Sequence, residues 1–497
     1  MKFRVKDMDI ATGGVLVVIL NKKDAEKLDL HAMDRIRISK GRKFETAILD
    51  IAETNKGIPP GKIGMFEEVI KSLRLKNNDA VQIRLARKPL SIDYIKKKLD
   101  GHTLKKQEIE QIVWDIVYNK LTDIEITYFV AAGYTNVLTL KESVMLTKAM
   151  AEHGEILKLK DYPVMDKHCI GGVPGNRTTM VITPIIAAAG LKIPKTSSRS
   201  ITSPAGTADT MEVLADIGSS IKKMKTVIDK TNGCIIWGGA LNLAPADDKI
   251  IRVERPLAID AESQLIASIM AKKHSVSSTH ILIDIPTGAG SKMPSHQEAL
   301  KLKEKFEQIG TALKKHIKVI ITDGSQPVGN GIGPALEARD VLWLLKGDGR
   351  MPHDLKNKSL LMAGYMLEIA RKAKPGKGYD KAVEILESGR AYEKFIEIIL
   401  AQGGRITEPD DVPVGRYVYH YKSPKSGRVS HIDNISMSRI ARIAGAPQDK
   451  EAGIYLHKHK RDKVKKNEIL FSVHAKSRDK LKNARDELKV IDGFVVK

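Results

Sequence analysis

The chain has 497 residues, 42% apolar and 29% charged, with a formal net charge of +23 and a pI near 9.6. That length exceeds one ordinary core, so about three domains are expected, and the composition describes a soluble globular protein rather than a disordered one. Two cysteines, Cys169 and Cys234, exclude a disulfide framework and a four-thiolate zinc site.

No charged-then-apolar leader opens the chain, and no apolar run reaches membrane-spanning length, so a cytoplasmic location without a membrane partner is expected. The positive charge suits phosphorylated substrates or nucleic acid. Yet many lysines alternate with glutamates along helical faces, as in KLKEKFEQ, and high Lys and Glu with few cysteines also fits a protein from a hot habitat. Charge alone decides nothing.

Residues 1–86 read as a β-rich, barrel-like module. VLVVIL, RIRI, TAILDI and VQIRL are short β-branched runs separated by turn residues. KLDLHAMDRIRI and SLRLKNNDAVQIRL share one rhythm, which predicts an internal duplication similar to the double-psi barrels. Such barrels serve as adaptor or nucleic-acid-binding modules, but this one carries no cluster of catalytic groups and reads as an oligomerisation or lid module without chemistry.

Residues 87–160 and 245–276 form an expected helical lobe. Ile109, Ile112, Val113, Ile116 and Val117 fall on one helix face. Thr122 with Glu125, and Thr139 with Glu142, predict capping boxes, and Gly154 can close the last helix.

Residues 161–244 and 277–407 read as an α/β lobe with a mainly parallel sheet, organised around Asp166–Asp216. That stretch predicts strand, polar loop, helix, strand, polar loop, helix, with a helix over the apolar run Met180–Leu191 that contains Pro184. Both loops would leave strand carboxyl ends and feed helix N-termini, where open α/β sheets bind ligands and free N–H groups favour anions. The first loop supplies Lys167, His168, three glycines, Asn176, Thr178 and Thr179. The second supplies Ser197, Ser198, Arg199, Ser200, Thr202, Ser203, Gly206 and Thr207. A lysine about 4 Å from a phosphate gains about 4 kcal/mol at an effective dielectric of 20, before desolvation.

Further on, HILIDIPTGAGSKMP predicts a strand ending in a glycine-rich loop with Lys292. Its glycine spacing is not that of a Walker loop, and GNGIG is too short for a dinucleotide fingerprint. Residues 408–497 turn to strands, a C-terminal α+β module with a barrel-sandwich-like rhythm but no convincing modification hairpin. His420, His431, His457 and His459 lack acidic or cysteine partners at ligand spacing and read as surface histidines, so no metal is expected.

DKHCIGGV resembles the Asp-Lys-His-Ser-Thr-Gly-Gly-Val loop of the thymidine and pyrimidine-nucleoside phosphorylases. SSRSITSPAGTADTMEVL is similar to their Ser-Gly-Arg-Gly…Thr-x-Asp-x-Leu-Glu signature. Cys169 in place of serine, an inserted Pro174 and SITSPAG in place of a glycine- and histidine-rich turn resemble the archaeal branch of that family, the AMP phosphorylases. The resemblance covers most of the chain from about Ser91 onward.

What the resemblance implies is phosphorolysis of a nucleoside 5′-monophosphate without a cofactor. It implies Gly172, Ser198, Arg199, Ser200, Ile201, Thr202, Ser203, Thr207, Ser268 and Lys292 as nucleotide contacts, and Lys167, Thr179 and Ser197 as phosphate contacts. It implies Asp260 as the general acid, with Lys272 and either Arg252 or Arg255 facing the base; spacing does not choose between the arginines. A homodimer or larger homo-oligomer is implied as well. The nearest alternative is a thymidine or pyrimidine-nucleoside phosphorylase. A nucleic-acid-binding protein is the alternative of another class, and 5% aromatic residues argue against strand stacking, so no nucleic acid partner is expected.

Overall fold

The computed structural model describes residues 1–200, 203–254, 256, 261–491 and 493–497. It divides into two compact units, one of Met1–His153 with Ala244–Ser268, the other of Gly154–Leu243 with Ile269–Lys497.

The first unit opens with a closed six-stranded barrel. Its strands are β1 (Lys2–Asp7), β2 (Val17–Asn21), β3 (Arg35–Lys40), β4 (Lys43–Ala52), β5 (Lys62–Met65) and β6 (Ala80–Leu85), in the order β1-β5-β2-β4-β3-β6. The expected duplication is visible in the pairing. β1 runs parallel to β5 and antiparallel to β6, just as β4 runs parallel to β2 and antiparallel to β3. Even the turns repeat. Asp34 accepts from His31 N at 2.8 Å after Met33 (φ +72°), and Asp79 accepts from Lys76 N at 2.7 Å after Asn78 (φ +67°). The alternating residues Val18, Leu20, Ile36, Ile38, Ile63 and Val81 fill the interior, as the period of two requires.

Helices Ser91–Leu99, Lys106–Val117, Asp123–Thr135 and Leu140–Glu152 follow, joined by Pro245–Glu254 from later in the chain. Both capping boxes form, Thr122 with Glu125 and Thr139 with Glu142. Barrel and helices are tied by Arg35, which donates to Glu125 at 2.5 Å and to the Lys120 carbonyl at 3.1 Å. Deeper in, the ammonium of Lys98 meets the buried Glu142 carboxylate at 3.0 and 3.2 Å.

In the second unit five strands run parallel: β7 (Met165–Cys169), β8 (Ile193–Ser197), β9 (Gly233–Trp237), β10 (His280–Thr287) and β11 (His316–Asp323). β10 lies between β11 and β7, and β8 pairs with β9. A parallel bridge between Val164 and Lys192 joins the groups, so the order reads β11-β10-β7-β8-β9. The order reverses between β7 and β10, and the carboxyl ends of those strands flank the crevice where such sheets take ligands.

The helix behind β7 runs Thr178–Ala188, with Pro184 inside it and Thr178 to Ala187 all buried. It starts two residues before the expected Met180, because the first turn is made of threonines that an apolar count passes over. It ends before Leu191, where Gly190 takes φ +79°. The C-terminal residues form two antiparallel sheets with helices Asn434–Ile443 and Arg478–Glu487. The two-residue strand Gly331–Ile332, from the middle of the α/β segment, pairs with Gly453–Leu456 and edges one of those sheets. Of the four noted histidines, His420 and His457 both bond Ser472 Oγ, at 2.8 and 2.7 Å, and His459 bonds Asn330. Among the described residues no helix is long and apolar enough to cross a membrane.

Replacing Lys98 by methionine leaves the buried Glu142 carboxylate with its Leu104 and Thr139 donors but no opposing charge. The expected cost is about 3–5 kcal/mol, read as a lower urea midpoint with the slope unchanged.

Candidate active site

Three loops leave the carboxyl ends of β7, β8 and β10. The first holds Gly171, Gly172 and Gly175 at φ +95°, +91° and +72°. A Cβ on Gly172 would stand 2.3 Å from the backbone nitrogen of Lys292, so glycine is what lets the β7 loop lie against the β10 loop. Arg177 closes the first loop and reaches the second. Its guanidinium is buried and donates to the Ala205 carbonyl at 2.6 Å and to Thr207 Oγ1 at 2.9 Å, and it pairs with the buried Glu337. Two pairs of the expected site residues or their loops are thereby brought together, Gly172 with Lys292 and the first loop with Thr207.

The second loop is held from inside. Asp209 accepts from the backbone N–H of Ser200 at 2.7 Å and of Gly206 at 2.9 Å, and from Arg199 at 3.1 Å. Arg199 also grips Glu212 at 2.8 and 2.6 Å and lies over the Trp237 ring at 4.8 Å. The Arg199 contact, with Lys450 beside it, holds the Glu212 carboxyl down at about 2. Arg199 thus spends its charge on two carboxylates and fixes the loop, and the hydroxyls of Ser200 and Ser203 donate to the Ser203 and Ala205 carbonyls within it. Ser198 is exposed, while Ser200, Ser203 and Thr207 are half-buried.

Buried charge is the site's second feature. Lys167 is 1% exposed and gives its ammonium one hydrogen bond, to Thr178 Oγ1 at 2.9 Å. Burial pushes its pKa down, opposed by Cys169 and Asp284. Lys358 stands 3.5 Å from the buried Asp284, whose carboxyl is raised by burial but drawn net below the usual range by Lys358 and Lys167. On the same strand, Asp166 accepts from Lys273 and Ser278, each at 2.9 Å. Lys195 of β8 is buried beside this pair and bonds the Thr196 carbonyl; burial, then the neighbouring Lys273, push it well below the ordinary lysine value. His168 is pushed well below its ordinary value by burial and by Lys273, Lys195 and Lys167. Lys167, Arg177, Lys195, Lys273 and Lys358 are thus answered by Asp166, Asp284 and Glu337. Basic groups outnumber acidic ones.

Hydrogen-bond donors match that excess. Ser197 Oγ is buried and has no partner among the described residues. Thr179 is 6% exposed, in the first turn of the helix behind β7, where backbone N–H groups lack helical acceptors. Burial raises the Cys169 thiol, so it is a weak neutral donor there. Lys292 is exposed. Ser268 sits half-buried on the helix Glu262–Ser275 as the last residue of the first unit. Arg252 is committed to Asp123 at 2.5 Å. Asp260, Ile201, Thr202 and Arg255 lie outside the described residues. No group of three or more His, Cys, Asp or Glu among the described residues is placed to hold a metal.

Sequence reading passed over Arg177, Asp209, Asp284, Glu337 and Lys358. Asp209 had a signal, because a carboxylate at the third position after a Gly-Thr helix start reaches back to the loop N–H groups. Lys358 had none: it comes from a helix about 190 residues after Lys167.

Three segments match family models: residues 92–154 a glycosyl transferase family helical bundle domain, 161–392 the a/b domain of that family, and 428–491 a pyrimidine nucleoside phosphorylase C-terminal domain. In fold the chain is similar to anthranilate phosphoribosyltransferase from Thermus thermophilus, with a TM-score of 0.53 and 18% identity over 63% of this chain and all of that one. It is 46% identical to an AMP phosphorylase of Pyrococcus furiosus over 97% of this chain and 95% of that one. It is 44% identical to one from Thermococcus kodakarensis over 100% and 99%, and 44% identical to a putative thymidine phosphorylase of Legionella pneumophila over 92% and 87%. The chain therefore belongs to the glycosyl transferase family of the AMP and thymidine phosphorylases.

Gly172→Ala adds a Cβ against Lys292 at a backbone angle that alanine disfavours. The expected outcome is an unchanged fold by circular dichroism with KM raised at least about tenfold, a loss near 1.4 kcal/mol of binding. Unaltered KM would mean that the two loops need not touch.

Proposed function

We propose that the protein catalyses phosphorolysis of nucleoside 5′-monophosphates, AMP foremost, giving adenine and ribose 1,5-bisphosphate from AMP and phosphate. The observation that carries this reading is the surplus of buried basic groups around Lys167 and the unpartnered Ser197 hydroxyl, beside a second serine-rich loop. One anion needs one such place. A phosphate and a 5′-phosphate need two.

In this reading Lys167, Thr179 and Ser197 hold inorganic phosphate. Gly172, Lys292, Thr207 and the loop Ser198–Ser203, with Ile201 and Thr202 in it, hold the nucleotide, and Ser268 contacts the base. A phosphate oxygen forms the bond to the anomeric carbon as the bond from that carbon to the base nitrogen breaks, and the electron pair leaves with the base. Asp260 delivers the proton that makes the base a neutral leaving group. The charge that develops on the sugar is stabilised by the phosphate itself, and that phosphate is kept in place by the surrounding cations.

Relatives named as AMP phosphorylases support the nucleotide over the nucleoside, since they match across 97–100% of this chain. The Legionella relatives support the runner-up, a thymidine phosphorylase. Two unpaired cysteines suit a reducing compartment such as the cytoplasm. A homo-oligomer is part of the proposal by family likeness.

The deciding assay measures free base released from AMP, CMP, UMP, adenosine, uridine and thymidine with phosphate present. The expected result is release from AMP well above release from the nucleosides, and Asp260→Asn slowing turnover by about 10²–10⁴-fold. Release from nucleosides alone would overturn the choice of substrate; near-normal turnover of Asp260→Asn would remove that residue from the acid role.

A further inference from the structure

The barrel-and-helix unit contains a cavity of about 200 Å³ where β3 and β4 meet the end of the helix Lys106–Val117. None of the phosphate-loop residues lines it. Two of its cations are already satisfied, Arg35 by Glu125 at 2.5 Å and Lys120 by Glu45 at 2.8 Å. Asp115 is not. It is 3% exposed, one oxygen accepts from Gln111 at 3.2 Å, and the other, with the buried Ser91 hydroxyl beside it, has no partner within hydrogen-bond distance among the described residues. A buried acceptor left open in this way costs stability until a donor reaches it. Beside it Trp114 offers a partly exposed ring, braced on Tyr118 with centroids 4.7 Å apart, and Arg87 is an exposed guanidinium on the lining.

These groups select among ligands. A lone phosphate would be repelled by Asp115, with the inner cations already neutralised. A metal ion would find a single carboxylate. A simple amine would leave the ring and Arg87 unused. A flat ligand with an N–H donor on its edge and an anion on a tether uses all three. Pockets for drug-sized ligands run about 300–1,000 Å³, so this one is sized for a base alone, with sugar and phosphate left outside.

We propose that this cavity is a second nucleotide site, taking the base of a purine nucleoside monophosphate, with its amino group donating to Asp115, its ring on Trp114 and its phosphate at Arg87. The site is separate from the phosphorolytic one and does not depend on the reaction assigned there.

Equilibrium dialysis of labelled AMP against the full-length protein, without phosphate, tests it. Wild type is expected to bind two AMP per chain. Arg87→Glu, on an exposed residue, and Val15→Phe, which fills the cavity from the barrel side, are expected to bind one each while releasing base at the wild-type rate. Asp115→Asn is expected to weaken the second site about tenfold. One AMP per chain in wild type that both variants retain, or two in both variants, overturns the second site and leaves phosphorolysis standing; one that both variants lose leaves the second site standing and overturns AMP as the phosphorolytic substrate. No AMP bound at all in wild type would overturn both readings.

Discussion

Lys167 keeps its amine inside the protein with a single neutral hydroxyl as its hydrogen-bond partner; burial presses its pKa down, and the carboxylates nearby are shared with other basic groups. Such a group is costly to bury without an opposing charge. The cost disappears when an anion arrives, and that asymmetry between the empty and filled states makes the place a binding site rather than a structural ion-pair network. Lys195 and His168 share the constraint. Both are pressed toward their neutral forms by burial and by the neighbouring Lys273 and Lys167.

The fold makes this arrangement possible by bringing strand ends from distant parts of the chain to one sheet margin. β7, β8 and β10 each release a loop there, and two close contacts weld the loops together. Gly172 lets backbone meet backbone at Lys292, and Arg177 spans from the first loop to Ala205 and Thr207 with Glu337 behind it. Arg199 and Asp209 do the same within the second loop. Much of the charge in this region therefore sets shape. Only part of it is left to meet substrate.

What the sequence disclosed follows from which interactions are local. The barrel's duplication was readable because each half carries its own turn, ending in Asp34 or Asp79, and each turn is closed by a bond three residues long. The capping boxes and the two polar loops were readable for the same reason. Lys358, Asp284 and Glu337 were not, because their partners lie far away in the chain and nothing in the flanking pattern marks them. Arg199 shows a third case. Its presence in the loop was plain, but its commitment to Asp209 and Glu212 depends on how the loop folds back over Gly206, whose Cβ would meet Ser198 O at 2.5 Å.

The central claim is a buried cluster of basic groups that awaits an anion, and proton counting on phosphate binding tests it most directly. Isothermal titration at about pH 8.5, where free phosphate is already a dianion, in buffers of different ionisation enthalpy gives the number of protons exchanged. Lysines whose pKa values burial has lowered regain protons beside a bound anion. The account therefore predicts net proton uptake, diminished in Lys167→Ala. Binding with no exchange or with proton release, or binding unaffected by Lys167→Ala, would contradict it.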